Sequence, residues 1–412
     1  MKVLFLTPEL LPNWGGNGTY YIELAKALNR IIEIHVATVE RLENRKPIYS
    51  QEDMRRYFDD RVDIHTLAKA PMEDTFFYNA TFQLSVWRKL KAILKENDID
   101  LVHSNLPAMP DLLTKFWINN PVPSVATLHT TIEGHKQGLK ATNLGFLQME
   151  FSEKCTLAFY PLIKLAEHIY LRKTTELITV SEWMKRVIFD TFPFLLNART
   201  NVEVVYNGVD EKRFSPEKAK HCEILSECVN PIVLFSSRFT TMKGIHYLIS
   251  AIPKILRENR EVHFVFTGAG ETEPWIRLLK ELGVPESLYT FLGYVDYNLL
   301  PSIYAKADIF VAPTLYDNFP FRVLEAMSSR TAVVASNICG IPEMITNGKN
   351  GILVPAADWN HLAEALLLLL DDQKMRRKLA RGGRQTIIER FTWKTISKRL
   401  FKVYERILSR FN

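Results

Sequence analysis

The chain has 412 residues, of which 47% are hydrophobic, and its formal net charge is +6. A chain of this size can bury sizeable cores, and its length predicts two or three domains, so a two-domain enzyme is the first expectation. No stretch of about 18 uncharged apolar residues predicts a membrane span. The positive charge is local, with 13 Lys or Arg against 6 Asp or Glu in residues 351–412, and we expect no nucleic-acid partner.

The N-terminus and the cysteines indicate the compartment. The opening run KVLFLT is broken by Pro8 and followed by Glu9, which favours a first strand over a signal peptide. We therefore expect a cytoplasmic protein, and a peripheral contact with the inner face of the membrane is left open. The cysteines have no zinc-site spacing and are expected to be free thiols in a reducing compartment: Cys155, Cys222, Cys228 and Cys339.

Short apolar runs alternate with helical patterns along the first half of the chain. This alternation predicts a doubly wound α/β domain with a parallel sheet over residues 1–206. Residues 131–171 read as helices, which either pack on a core or line a cleft or lipid surface. The predicted strands are KVLFLT, EIHVATV, LVHS, SVATLH, ELITVS and VEVVY.

The same alternation restarts after a polar, turn-prone segment and predicts a second α/β domain over residues 207–390. Residues 391–412 form a strongly amphipathic final helix. The basic stretch KMRRKLARGGR resembles a helix that a Gly-Gly pair ends. Its cations either form a solvated face or attract anionic lipid or an acidic ligand. The predicted strands are PIVLFSS, HFVFTG, YTFLG, DIFVAP, AVVAS and GILVP.

Ligands of open parallel sheets bind beyond the carboxyl ends of the strands, so the loops there are the candidate sites. After the first strand, Gly15, Gly16 and Gly18 precede a helix, where the backbone can approach a ligand closely. The spacing is not GxGxxG, and a simple turn and a site are equally compatible with it. His129 and His103 also follow strands, where each is either a structural histidine or a cleft residue.

Two cations, Arg238 and Lys243, lie in the loop between PIVLFSS and the next helix. Cations at a helix N-terminus oppose the helix dipole unless an anion lies among them, so either a diphosphate binds here or both are solvated surface residues. Gly268 and Gly270 follow the next strand and would also permit close backbone contact.

The stretch LYDNFPFRVLEAM follows the strand DIFVAP. Pro320 suits the first turn of a helix, whose unpaired N–H groups would form an anion site. Asp317 lies ahead of the helix and Glu325 in its second turn, so the two carboxylates would contact different parts of one ligand. Alternatively, Asp317 or Asn318 caps the helix and Glu325 pairs with a surface cation.

In this order and spacing, the motifs resemble the retaining, nucleotide-sugar-dependent glycosyltransferases of family 4 along nearly the whole chain. This resemblance implies the GT-B fold, in which two Rossmann-like domains face a central cleft and the C-terminal helix returns to the N-terminal domain. The motifs are PNWGGNGTYYIELAKAL, TLHTT, ITVSEWMKR, NGVDEKRFSP, SSRFTTMKG, FTGAGE, FLGYVDYNLLPSIYAKADIFVAPT, the acidic pair with LEAM, and GIPEMITNGKNGILVP.

The resemblance also implies roles for single residues. Arg238 and Lys243 would bind the donor diphosphate, Glu325 the ribose, and Asp317, the first acid of the E-x7-E pattern, the transferred sugar. His129 would lie near the reacting sugar and Gly16 at the junction of donor and acceptor. The remaining donor-binding residues would be Gly268, Tyr294, Val295, Asn318, Phe319, Pro320, Phe321 and Arg322.

The family transfers sugars with retention and without a required metal or other cofactor. The acceptor would be a carbohydrate or a lipid-linked glycan, and the departing diphosphate would take the acceptor's proton, so the protein would supply positioning and electrostatic stabilisation. Asp98-Ile-Asp100 resembles a metal-binding DxD, but it precedes a strand and is read as a turn.

The sequence departs from the family pattern at four positions: Asp317 replaces Glu, Arg330 and Ala332 replace Gly and Pro, and Cys339 replaces Gly. Asp317 is one methylene shorter than Glu, and two alternatives to sugar transfer stay open. The protein could bind a nucleotide sugar without turnover, or it could be a nucleotide-sugar 2-epimerase, which shares the GT-B architecture.

Overall fold

The structure is a computed structural model that describes residues 1–12, 15–72, 74, 77–106, 108–117, 122–142, 151–197, 201–258 and 261–411. The chain divides into two compact units. Unit 1 comprises Met1–Lys136, Leu144–Asn207 and Trp393–Asn412, and unit 2 comprises Gln137–Asn143 and Gly208–Thr392.

Unit 1 contains an eight-stranded sheet in the order β3-β2-β1-β5-β6-β7-β8, with β4 also pairing with β2. All pairings are parallel except that of β2 with β3. This topology confirms the predicted doubly wound domain. The strands are β1 Lys2–Leu6, β2 Glu33–Glu43, β3 Lys46–Pro47, β4 Val62–Pro71, β5 Leu101–Leu106, β6 Ser124–Leu128, β7 Glu176–Thr179 and β8 Asn201–Val204.

Helices follow most of these strands, and the longer ones bury apolar side chains. The helix over residues 77–96 buries Phe82, Val86 and Leu90 against the sheet, and each such side chain contributes about 1.5–3 kcal/mol relative to exposure. The helices up to β8 are α1 Gly16–Leu28, α2 Gln51–Tyr57, α3 Phe77–Glu96, α4 Leu112–Trp117, α5 Ile132–Ala141, α6 Phe151–Ala158, α7 Tyr160–Lys173 and α8 Glu182–Thr191. The second half of α5 belongs to the Gln137–Asn143 segment of unit 2.

Unit 2 contains a six-stranded parallel sheet in the order β11-β10-β9-β12-β13-β14. The strands are β9 Ile232–Ser236, β10 His263–Thr267, β11 Tyr289–Gly293, β12 Ile309–Ala312, β13 Ala332–Ser336 and β14 Ile352–Val354. The helices are α9 Ile245–Glu258, α10 Glu273–Glu281, α11 Leu300–Lys306, α12 Phe321–Ser328, α13 Ile341–Met344, α14 Trp359–Asp371 and α15 Gln373–Thr386.

Near the C-terminus, the end of helix α15 differs from the prediction. Helix α15 runs through Gly382 and Gly383, so the Gly-Gly pair does not end it as predicted. A Cβ at Gly382 would meet the Lys349 carbonyl oxygen at 2.4 Å, so the glycine lets the helix pack closely against that backbone. The final helix, α16 Trp393–Phe411, forms over the predicted residues. Within the described ranges, no helix is long and apolar enough to cross a membrane.

Candidate active site

In unit 2, the loop after β9 carries both predicted cations and is fixed by the backbone of the neighbouring loop. The Ser237 N–H donates to the Thr267 carbonyl at 3.0 Å. Gly268 has φ +153, and a Cβ there would meet the Ser237 carbonyl oxygen at 1.7 Å. Only glycine permits this approach, so Gly268 positions the loop that carries Arg238.

A second glycine, Gly244, brings the same loop to the end of β12. Its φ is +73, and a Cβ would meet the Pro313 carbonyl oxygen at 1.8 Å. The Met242 carbonyl accepts hydrogen bonds from the Leu315 N–H at 2.9 Å and from the Thr314 hydroxyl at 3.1 Å. These backbone contacts hold the Lys243 loop against the loop that carries Asp317.

As a result, Lys243 and Asp317 form an ion pair. The Nζ–Oδ2 distance is 2.6 Å, and the side chains are 19% and 23% exposed. Arg238 is exposed, and its side chain makes no hydrogen bond or ion pair with any residue that the structure describes. The family resemblance assigned Lys243 to a phosphate and Asp317 to a sugar, whereas the structure pairs the two side chains with each other.

Helix α12 begins one residue later than predicted, because Pro320 is its N-cap with φ −69 and ψ 125. Because Pro320 occupies the N-cap position, neither Asp317 nor Asn318 is the N-cap residue of this helix. Glu325 is buried, and its Oε2 accepts a hydrogen bond from Arg322 Nη1 at 2.9 Å. The pair is an i,i+3 contact within α12, and the role of Glu325 toward a ligand stays a prediction.

Sequence reasoning missed two neighbours of these carboxylates. Tyr304 on α11 is fully buried beside Glu325 and packs against Phe214 and Phe310. Its hydroxyl makes no close hydrogen bond to the described residues, and the polar side chains that act on it are Ser236 and Glu325. Burial, and after it the charge of Glu325, raises the pKa of this hydroxyl, so it is a donor at neutral pH. No sequence pattern marked Tyr304.

Cys339 is the second neighbour, and its departure from the family pattern was the available signal. It has a left-handed φ of +50, a conformation that favours glycine. Burial raises the pKa of its thiol to about 12, although the Asp317 backbone N–H and Lys243 oppose that shift. Cys339 is thus an inert neutral thiol next to the Lys243–Asp317 pair.

The other predicted residues of unit 2 lie at the same strand ends. Tyr294 and Val295 follow β11, with Tyr294 exposed and Val295 half-buried. Asn318 and Phe319 are buried ahead of α12, and the Phe319 ring packs against Phe391 at 5.5 Å. The Phe319 side chain therefore belongs to the core of unit 2.

In unit 1, the structure places Gly16 and His129 at strand ends as well. Gly16 is the first residue of α1, with Gly15 as the N-cap, while Asn13 and Trp14 of the same motif lie outside the described residues. His129 follows β6, and its ring packs edge-on against Tyr20 at 4.6 Å. Burial lowers the pKa of His129 to about 3, so its imidazole is neutral at physiological pH.

His103 is a structural residue. It is fully buried on β5 and hydrogen-bonds Thr127 at 2.7 Å and the Tyr404 hydroxyl at 2.5 Å. Burial, and after it the charge of His129, lowers its pKa to about 3. Of the two readings left open for His103, the structure supports the structural one.

Glu167 of α7 is a buried carboxyl group that sequence reasoning missed. Its Oε1 accepts the Ile132 N–H at 2.7 Å at the start of α5, three residues after His129. Burial raises the pKa of Glu167 to about 8, although the Ile132 hydrogen bond opposes this. The carboxyl group is therefore protonated at neutral pH.

We expect Glu167 to make unit 1 less stable as the pH rises from 4.5 to 8. In that window the folded state holds a proton that the unfolded state has lost, so the free energy of unfolding falls by up to about 1.4 kcal/mol per pH unit. Glu167→Gln should remove this contribution. Urea unfolding of both proteins across the window measures the difference, and parallel pH profiles would contradict the assignment.

Asp98 and Asp100 lie in the turn that leads into β5, as predicted. Asp98 has φ +49, and Asp100 Oδ2 accepts the Lys2 backbone N–H at 2.7 Å. This turn lies at the amino-terminal edge of the sheet. The predicted structural reading of the Asp-Ile-Asp sequence is confirmed.

Comparison with known proteins covers both units. Residues 14–213 match the family described as Glycosyltransferase Family 4, and residues 223–386 match the family described as Glycosyl transferases group 1. Spore coat protein SA of Bacillus subtilis is 31% identical over 265 residues, which span 60% of this chain and 69% of that protein.

Two solved structures share the fold. Sucrose-phosphate synthase from Thermosynechococcus elongatus superposes with a TM-score of 0.79 and 19% identity over 99% of each chain. HepE of Anabaena, solved in complex with UDP-glucose, has a TM-score of 0.72 and 19% identity over 98% of this chain and 100% of its own. These likenesses confirm the predicted GT-B fold of two Rossmann-like domains.

Proposed function

The chain belongs to the glycosyltransferases of group 1 and family 4, and from that membership we propose that it moves a sugar from a nucleotide-sugar donor to a carbohydrate or lipid-linked acceptor with retention of configuration. The donor would bind at the strand ends of unit 2. HepE was solved with UDP-glucose, which supports a nucleotide sugar as the ligand class.

The observation that carries this proposal is the set of charges at the ends of β9 and β12. Three cations, Arg238, Lys243 and Arg322, accompany the carboxylates of Asp317 and Glu325. The excess positive charge and the first turn of α12 suit a diphosphate, whereas the carboxylates suit sugar hydroxyls. A bound donor would share or displace both ion pairs.

In the proposed reaction, the protein acts mainly by positioning and electrostatics. Arg238 and Lys243 would stabilise the negative charge that develops on the departing diphosphate. The leaving phosphate would take the proton of the acceptor hydroxyl as the new glycosidic bond forms on the same face of the sugar. Neutral His129 would donate one N–H to a sugar hydroxyl, and no metal or cofactor is required.

A donor panel tests the proposal. The full-length protein is incubated with UDP-, GDP- and ADP-sugars, with and without acceptors, while release of nucleoside diphosphate is measured in the presence and absence of EDTA. We expect release from one donor that depends on acceptor and persists in EDTA. The anomeric configuration of the product, read by NMR, tests retention.

The shorter Asp317, held by Lys243, favours one alternative, namely donor binding without turnover. Nucleotide-sugar binding by calorimetry with no release, even in Asp317→Glu, would establish that alternative. Interconversion of epimers without an acceptor would establish the 2-epimerase. Absence of both binding and release across the panel would overturn the proposal.

The buried hydroxyl of Tyr304 provides a matched test of the Glu325 assignment. If Arg322 leaves the carboxylate when ribose binds, the Tyr304 hydroxyl can donate to Glu325. We therefore expect Tyr304→Phe to weaken nucleoside diphosphate binding about fivefold, the value of one hydrogen bond of about 1 kcal/mol.

Tyr289→Phe is the matched control, because its hydroxyl is also buried without a partner among the described residues. It begins β11, at the opposite strand end from Gly293. Calorimetric titration with UDP, GDP and ADP should show an unchanged affinity in this variant. Equal affinities of Tyr304→Phe and wild type for the nucleoside diphosphate would show that the Tyr304 hydroxyl does not contribute to donor binding.

We also propose that unit 2 contacts anionic membrane through one face of α15. Lys374, Lys378 and Arg381 are exposed there and line a surface cavity, without ion pairs among the described residues. Replacing all three with alanine should abolish salt-sensitive binding to phosphatidylglycerol vesicles.

The matched control replaces three exposed lysines of α16, Lys394, Lys398 and Lys402. Equal retention on neutral phosphatidylcholine vesicles would contradict the electrostatic contact.

A further inference from the structure

Four titratable side chains meet at the amino-terminal ends of β2 and β4 in unit 1. Parallel pairing aligns His35 with Asp63, while Glu33 lies two residues before His35 and His65 two residues after Asp63. Side chains two residues apart share a face of a sheet, so all four project from the same face. The donor-binding residues proposed above lie elsewhere in the chain.

The ligand atoms of Glu33, His35 and Asp63 all lie within 4.8 Å of one another. The distance from His35 Nε2 to Glu33 Oε1 is 3.2 Å. Two ligands of a tetrahedral zinc ion, each about 2.0–2.1 Å from the metal, are about 3.3–3.4 Å apart. The His35–Glu33 separation is that of an ordinary hydrogen bond, and it is close to the edge of a zinc tetrahedron.

His65 supplies the contact that orients the histidine ligand. His35 Nδ1 lies 3.2 Å from His65 Nε2, and the two rings stack at 5.5 Å with an angle of 14°. A histidine that binds a metal through one nitrogen usually donates the N–H of the other nitrogen to a neighbour. His65 Nε2 is placed to accept that N–H.

The two tautomers of His35 distinguish a metal site from an ordinary hydrogen-bonded histidine. With a proton on Nε2, His35 donates to Glu33 and accepts from His65. With the proton on Nδ1, His35 donates to His65, and its Nε2 lone pair faces the Glu33 carboxylate. The second arrangement is repulsive unless a cation lies between the two acceptors. A metal ion therefore selects the second tautomer.

The positive and negative charges around these four side chains are nearly equal in number. Lys2 of β1 lies 3.5 Å from Glu33, and Arg55 of α2 lies 3.4 Å from Asp63. Glu96 of α3 also acts on His65. The carboxylates of Glu33 and Asp63 are each half-exposed, so their ion pairs are weak and water can reach a fourth coordination position.

We propose that Glu33, His35 and Asp63 form a binding site for a divalent transition-metal ion, with zinc as the best fit. One imidazole, two carboxylates and a water complete a four-coordinate site, a ligand set that suits zinc. Asp63 must approach to reach the metal, and Lys2 and Arg55 must release their partners. The site stabilises the pairing of β2 with β4 and is independent of the proposed sugar transfer.

Titration of the full, tag-free chain with Zn²⁺, and with Co²⁺ as a coloured probe, tests the site. We expect one ion per chain and visible absorption bands typical of tetrahedral Co²⁺, which Zn²⁺ removes. Glu33→Gln and Asp63→Asn keep the size of each half-exposed side chain, and each should weaken binding at least about tenfold. Lys2→Gln should strengthen binding because a competing cation is lost.

His361→Gln is the matched control. His361 also contacts a carboxylate, with Nδ1 2.6 Å from Asp358 Oδ2, but the described residues bring no third ligand to that pair. The His361→Gln variant should bind Zn²⁺ with the same affinity as wild type. ¹⁵N NMR of the histidine rings should show the proton of His35 on Nδ1 only when metal is bound. Absence of binding, or binding that survives in the Glu33→Gln and Asp63→Asn double variant, would overturn the proposal.

Discussion

Replacing Lys243 with alanine is expected to lower the rate of sugar transfer by about 10²–10³-fold, the usual cost of removing one preorganised electrostatic group. Donor affinity should fall less, because charge on the leaving diphosphate grows in the transition state and Lys243 contacts Asp317 in the ligand-free structure. Steady-state kcat and a calorimetric Kd for the donor, measured on the same preparation, separate the two effects.

Lys254→Ala provides the control for this loss of a lysine. Lys254 is 22% exposed, close to the 19% of Lys243, and pairs with Glu364 at 2.9 Å on the surface of unit 2. It should leave kcat and the donor Kd unchanged. If the two lysine variants behave alike, Lys243 does not act on the leaving group.

Replacing Glu325 with alanine is expected to weaken donor binding by about 10–100-fold, the cost of losing hydrogen bonds to a charged acceptor worth about 1.5–3 kcal/mol. The carboxylate is buried and oriented by Arg322, and in the proposed donor complex it would accept hydrogen bonds from the ribose hydroxyls. The kcat at saturating donor should change less than the Kd, because ribose takes no part in the bond changes.

Deoxynucleotides make this test specific. If Glu325 binds the ribose, a 2′- or 3′-deoxy donor should bind wild type more weakly but should lose little further affinity in Glu325→Ala. Glu176→Ala is the control, since Glu176 is also buried and pairs with Arg406 at 2.8 Å in unit 1. Both variants should lose stability, but Glu176→Ala should keep the donor affinity. Equal losses in the two variants would point to a general folding defect.

The regular elements were largely predictable, because buried parallel strands and amphipathic helices have distinct apolar periods. Strand β4 was missed. Its run VDIHTLAKAP carries Asp63, His65 and Lys69 at positions that a continuous apolar run would fill, and it pairs only with β2 at the sheet edge. The Gly-Gly pair in α15 was also misread, because its packing partner, Lys349, is distant in sequence.

In the candidate site, the positions of the residues were predictable but their side-chain partners were not. The α/β class, the family resemblance and the positions of Arg238, Lys243, Asp317 and Glu325 at strand ends were predictable from the sequence, because they depend on local periodicity and motif spacing. The partners of these side chains became known only from the three-dimensional structure. Lys243 meets Asp317 because Gly244 admits the Pro313 carbonyl, a contact between residues 69 positions apart in the chain. Close backbone approach and buried pairing arise from packing, which no local pattern encodes.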